Sequence, residues 1–196
     1  MKLKSALLVA GLIGGLALAG LALGWFARPY AFHGSWVEQS IAAPDFTLQD
    51  QTGQLFQLSA QSGRVVVMYF GYTQCPDECP ATMARYRQIQ TELGAEAERV
   101  RFVLVTADPD VDTPAVLGAY LAPFGSGLLG LTGEPASLES VWQAYGVYVE
   151  KHAAGEVDHT NRIYVIDPAG NLRLTYTLET PAVDLAADIR ELLRRG

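Results

Sequence analysis

The apolar positions along this chain fall into two regimes. From Ala6 to Phe26 they run through 21 residues without a charge or a proline. From Asp45 onward, short continuous runs alternate with stripes of helical period. Arg64–Phe70 (RVVVMYF) and Val100–Thr106 (VRFVLVT) are near-continuous apolar runs, the pattern of strands buried on both faces. Between them, Met83, Tyr86, Ile89 and Leu93 line one side of a helix predicted over Pro80–Leu93, with Pro80 suited to its first position and Gly94 to its end. A second helix is predicted from Pro114, burying Val116, Leu117, Tyr120 and Leu121. Leu138, Val141, Trp142 and Tyr145 keep the i, i+3, i+4, i+7 spacing of a third. Pro181 opens a last helix that buries Leu185, Ile189 and Leu192.

Turn residues place two hairpins in this series. Gln51-Thr52-Gly53 separates DFTLQD from QLFQLS, and Pro168-Ala169-Gly170 separates RIYVID from LRLTYTL. The order is then hairpin, β-α-β-α, helix, hairpin and helix. Such an order predicts an α/β domain with a mixed central sheet covered on both faces. The expected architecture is a thioredoxin-like sandwich with an N-terminal β-hairpin over residues 43–196. Residues 27–42 lack a sustained period and read as a linker.

The first regime changes where the domain is placed. At about 1.5 Å per residue the apolar run would make about 31 Å of helix, enough for a hydrocarbon core of about 30 Å. Lys2 and Lys4 precede it and favour a cytoplasmic N-terminus. Residues 1–26 are therefore expected to be a single transmembrane anchor in a bacterial-type cytoplasmic membrane. A cleaved signal peptide competes, but its apolar region is ordinarily about 7–15 residues. Both readings export the domain. Without the two anchor lysines, 12 of the 14 basic residues remain against 21 acidic ones. That excess of acid argues against nucleic acid or an anionic lipid surface as a partner of the domain.

Chemistry concentrates in GYTQCPDECPATM, Gly71–Met83, which holds both cysteines of the chain, Cys75 and Cys79. It falls where the first buried strand gives way to its helix, the carboxyl end at which α/β sheets gather their reactive groups. Thiols four residues apart at a helix entrance can meet in a disulfide. They can equally clamp a soft cation such as Cu(I), zinc or an iron–sulfur centre. The helix N-terminus is expected to lower the pKa of Cys79. A structural staple is the weaker reading, because a domain of this length can hold itself together by its core. A metal would need a further ligand. His33 reads as a solvated linker residue and His152 as a loop residue. His159, in VDHTNRIYVID, stands where a loop returns to a strand, and local sequence leaves its role open. Asp77 and Glu78 read as solvated acids at the helix start, Asp108 as a turn residue, and Asp112 or Thr113 as the cap of the helix that Pro114 enters.

Four ordered blocks resemble the Sco/SenC family of membrane-anchored, thioredoxin-fold copper proteins. GYTQCPDECP is similar to its copper motif and TADPDVDTP to its DP-x-x-DTP segment. GLTGEPASLESVWQAYGVYVEK and VDHTNRIYVIDPAGNL are similar to its following helix and histidine-bearing hairpin. The resemblance covers Ala43 to the C-terminus. It implies a copper site of Cys75, Cys79 and His159, binding of Cu(I) and Cu(II), and a redox-active Cys75–Cys79 disulfide in the metal-free form. It also implies a metallochaperone rather than an enzyme, delivering copper to the binuclear copper site of cytochrome c oxidase. Its partners would be the copper-bearing oxidase subunit and another periplasmic copper chaperone or thiol reductase. Two features depart from the family pattern. Gln74 stands where histidine is frequent, and the loop from Val149 to Val157 is short. The rival reading is a thiol–disulfide oxidoreductase that reduces the oxidase's copper-ligand cysteines or another exported thiol pair. A peroxidase is a third reading, since peroxiredoxins share the fold.

Overall fold

Val65–Gly71, strand β4, is buried at all seven positions, because strands flank both its edges and side chains pack on both its faces. The computed structural model describes Gly15, residues 30–152 and residues 155–196. The predicted membrane anchor, residues 1–26, lies outside the described residues apart from Gly15. Among the described residues no helix is long and apolar enough to cross a membrane. The chain divides into two units, Met1–Ala31 and Phe32–Gly196, and the strands described below belong to the second.

In chain order these are β1 (Ser35–Ala42), β2 (Thr47–Asp50), β3 (Leu55–Gln57), β4, β5 (Val100–Thr106), β6 (Leu128–Thr132), β7 (Val149–Lys151), β8 (Val157–His159), β9 (Ile163–Ile166) and β10 (Asn171–Tyr176). The helices are α1 (Glu78–Leu93), α2 (Pro114–Leu121), α3 (Pro135–Ala144) and α4 (Ala182–Arg195). Eight strands form one mixed sheet in the order β1-β10-β9-β4-β5-β6-β2-β3. Strands β4, β5 and β6 are parallel, and β9 runs antiparallel to β4. Alternation along β4 divides the core. Val65, Val67 and Tyr69 pack with Met83, Tyr86 and Ile89 of α1, Leu117 of α2 and Leu185 and Ile189 of α4. Val66, Met68 and Phe70 face Leu138 and Val141 of α3 and Phe46 and Phe56 beside the β2–β3 hairpin. This is the thioredoxin-like α/β sandwich that the strand and helix order predicts.

The predicted hairpins and helices are present, with differences that have physical reasons. Helix α1 begins at Glu78 rather than Pro80, so Cys79 lies inside its first turn. Val116 is exposed on α2 while Leu117 and Leu121 are buried. Strand β6, LLGLT, is not marked by its own sequence, since five residues with a central glycine carry little strand signal. Parallel pairing with β5 and antiparallel pairing with β2 make it a strand. The polar three-residue strands β7 and β8 likewise become strands by pairing with each other.

Ser35–Ala42 reads as linker in the sequence and is β1 in the structure, antiparallel to β10. Just before it, the backbone N–H groups of His33 and Gly34 donate to the fully buried Asp188 carboxylate of α4, at 2.8 and 3.2 Å. The Tyr176 hydroxyl donates to the same carboxylate at 2.8 Å. His33 is therefore not an ordinary solvated linker residue. Its Nδ1 lies 2.8 Å from Asp188 Oδ1, and that contact raises its pKa above the ordinary imidazole value.

Tyr86 is fully buried against Phe102, with ring centroids 5.2 Å apart, and its hydroxyl has no hydrogen-bond partner among the described residues. An unsatisfied buried hydroxyl costs stability that a phenyl ring would not. Tyr86→Phe is expected to stabilise the domain by about 1 kcal/mol, measured as a higher urea midpoint with unchanged slope.

Candidate metal centre

The site is built at the β4–α1 junction and at the β8–β9 return. Residues Tyr72 to Asp77 leave the end of β4, and Cys79 then enters α1. Cys79 is fully buried, whereas Cys75 is partly exposed, and both are free thiols. The first turn of α1 wraps back so that the Cys79 N–H donates to Cys75 Sγ at 3.4 Å. Room for the buried sulfur comes from Gly71: a Cβ there would lie 2.7 Å from the Tyr69 ring and 2.8 Å from Cys79 Sγ.

His159 arrives from the other side. It ends β8, pairs with Val149 of β7, and presents Nε2 3.9 Å from Cys79 Sγ. Tyr69 and Tyr72 meet its ring edge-to-face at centroid distances of 5.8 and 5.9 Å. Cys75, His159, Tyr72, Glu78 and Asn161 line a cleft of about 420 Å³ above the buried sulfur. The structure thus brings together the three residues that the resemblance names. They do not form a closed coordination sphere: among the described residues no three His, Cys, Asp or Glu side chains do. Gln74 is exposed and is not among the residues lining the cleft. His152 is on the surface, 2.9 Å from Asp158 Oδ2.

Burial governs the protonation of the two deep donors. The sequence reading expects the helix N-terminus to lower the Cys79 pKa, and the structure reverses it: desolvation pushes the thiol up to about 12. The partial charge of a helix end is too small to offset removal of a sulfur anion from water. Desolvation also lowers the His159 pKa, so the imidazole is neutral at neutral pH. A neutral ring beside a sulfur is the state that can ligate a metal. The 3.9 Å between Sγ and Nε2 is within reach of one ion bonded to both, since such bonds are about 2.3 Å to sulfur and about 2.0 Å to nitrogen. By donor chemistry the three residues suit a soft cation, and the Cys79–His159 spacing admits one between that pair.

Two ties hold the frame, and neither was marked as functional by sequence. Asp112 is fully buried and does not cap α2; Thr113 does, accepting from the Val116 N–H at 3.3 Å. Asp112 instead accepts from the Thr73 N–H at 3.2 Å and from the hydroxyls of Thr73 and Thr106 at 2.5 and 2.6 Å. It thereby pins the cysteine loop to the end of β5. Burial raises its pKa against the opposing pull of these donors. Asp108, also buried, accepts from Lys151 Nζ at 2.7 Å, tying β7 to the β5–α2 loop. The DPDVDTP segment looks like turn and cap chemistry, and only the fold shows which carboxylates turn inward.

With this geometry in place, similarity to known proteins is informative. The sequence model of the SCO1/SenC family matches residues 37–194. The chain belongs to the SCO1/SenC family. It is 30% identical over 203 residues to the mitochondrial SCO2 homolog of Bos taurus, covering 96% of this chain and 75% of the relative. Its fold superimposes on copper-bound ScoI of Bradyrhizobium japonicum with a TM-score of 0.72 and 32% identity, over 76% of this chain and 98% of that one. It also superimposes on BsSco, described by its disulfide switch and as a member of the Sco family of cytochrome c oxidase assembly proteins. There the TM-score is 0.68 and the identity 27%, over 80% of this chain and 96% of that one. Family membership accounts for the sandwich that the chain shares with these solved structures.

Two measurements check the geometry. Gly71→Ala is expected to destabilise the domain by about 1–3 kcal/mol, the cost of overpacking, and to increase labelling of Cys79 as its sulfur is displaced; denaturant unfolding and thiol mapping read the two effects. In the wild-type domain at pH 8, iodoacetamide is expected to modify Cys75 at least about tenfold faster than Cys79, because the thiolate reacts and Cys79 is buried as a thiol. Peptide mass mapping over time measures the ratio.

Proposed function

We propose that this protein binds copper through Cys75, Cys79 and His159 and delivers it to the binuclear copper site of cytochrome c oxidase. The observation that carries the reading is the convergence of a buried sulfur, a half-exposed sulfur and a neutral imidazole at one cleft. Two thiolates and one imidazole are a soft set suited to Cu(I), and the nitrogen also admits Cu(II). The copper-bound ScoI relative and the oxidase-assembly role of the Sco family support the same assignment.

The parts of the site divide the work. Cys75, at the rim, is the donor that an incoming ligand of the acceptor reaches first. Cys79 holds the inner side away from water, and His159 stands between it and the cleft with Tyr69 and Tyr72 against its ring. Cation binding displaces the Cys79 proton, so loading releases protons and weakens as pH falls. Oxidation of Cys75 and Cys79 to a disulfide removes both sulfur donors, so redox state gates copper capacity. Residues 1–26 would tether the site at the outer face of the cytoplasmic membrane, beside a membrane-bound acceptor.

A thiol–disulfide reductase remains the rival reading, favoured by the access of Cys75 and by the disulfide switch of BsSco. The two differ in their need for His159. Anaerobically reduced domain is expected to bind about one equivalent of Cu(I), and His159→Ala to weaken binding by about 10–100-fold. The same variant is expected to lose copper transfer to the metal-free copper domain of the oxidase subunit. Unchanged affinity in His159→Ala, with chelator-resistant reduction of the acceptor disulfide, would favour the reductase.

A further inference from the structure

The hairpin that carries His159 is not part of the main sheet. Among the described residues, strands β7 and β8 pair with each other and with no other strand, so the imidazole's distance from the dithiol is set by whatever fastens this hairpin. On the β7 side the fastening is Lys151 to Asp108 and Asp110. On the β8 side Val157 is buried in the core and its N–H donates to the Tyr72 hydroxyl at 3.4 Å, and beyond them stands Asn161, two residues after His159 and two before the core strand β9.

We infer that the Asn161 side chain is a positioning strap that holds the His159 hairpin against the cysteine helix. The amide spans three elements. Its Oδ1 accepts the Tyr69 hydroxyl at 2.8 Å, and Tyr69 is a fully buried residue of β4. Its Nδ2 donates to Glu78 Oε2, on the residue immediately before Cys79 in the first turn of α1. The donation to a carboxylate fixes the orientation of the amide, because a flipped amide would set two oxygens against each other. The Tyr69 oxygen in turn lies 3.8 Å from Cys79 Sγ. One side chain therefore measures the separation between the imidazole segment and both ends of the sulfur scaffold. Asn161 touches no metal donor directly; it acts through Tyr69, Glu78 and the chain to His159.

The pairing has a directional test. Asn161→Asp keeps the shape and the acceptor for Tyr69 but sets a carboxylate against Glu78. Glu78→Gln combined with Asn161→Asp restores a donor–acceptor pair with its direction reversed. In the metal-free domain, Asn161→Asp is expected to speed amide exchange of Val157, whose N–H donates from the hairpin to the Tyr72 hydroxyl of the cysteine loop at 3.4 Å, by at least about tenfold. The double variant is expected to return it to near the wild-type rate. The identity of the ligand rests on the copper reading, and a second arm uses Cu(I) alone. Asn161→Asp is expected to weaken Cu(I) binding about tenfold and to lose nitrogen scattering by X-ray absorption while two sulfurs remain, again with recovery in the double variant. Exchange unchanged by Asn161→Asp, or not restored in the double variant, would overturn the strap. Because the exchange arm needs no metal, a wild-type domain that bound no Cu(I) would refute the copper reading and leave the strap to be decided by exchange.

Discussion

Everything at this site depends on a sulfur atom kept out of water at the first turn of a helix. Cys79 is fully buried where β4 ends and α1 begins, and a sulfur anion in that position is costly without a cation beside it. Burial therefore makes the residue an inert thiol alone and a strong donor once a soft cation neutralises it. Gly71 is the local condition for this, since a side chain there would occupy the space of the sulfur.

The second requirement is that flexible parts be held to rigid ones. The cysteine loop is irregular backbone, and the buried Asp112 carboxylate fixes it to β5 through Thr73 and Thr106. The histidine sits on a separate two-stranded hairpin, fixed through Lys151 on one strand, the buried Val157 on the other and Asn161 beyond it. The sandwich thus supplies Cys79, while Cys75 stands on a loop and His159 on a separate two-stranded hairpin. Under the copper-delivery proposal, that division would let donors part during ligand exchange without unfolding the core.

Much of this arrangement was legible in the chain. Continuous apolar runs identified β4 and β5, and helical spacing identified the buried faces of α1, α3 and α4, because those patterns follow from local geometry. The cysteine motif at a strand–helix junction and the histidine before a returning strand marked the candidate donors, the latter only through family resemblance. Strands β1 and β6 were not legible, since partners distant in sequence make them strands. Asp112 or Thr113 read as the cap; Thr113 is the cap, and nothing local shows the Asp112 carboxylate turning inward. The Cys79 pKa was misjudged for the same reason: the helix end is visible in sequence, whereas the depth of burial is not.

The sequence by itself determined which donors exist, their softness and the order in which strands and helices present them. Those are properties of side-chain type and local periodicity. Tertiary structure alone decided that Cys79 is the deep donor and Cys75 the accessible one, and that a histidine 80 residues on in the chain lies 3.9 Å from the buried sulfur. It also decided that Asn161 and Asp112, unremarkable as letters, brace the site. Burial and long-range contact are sums over the whole fold, and no short stretch of sequence contains them.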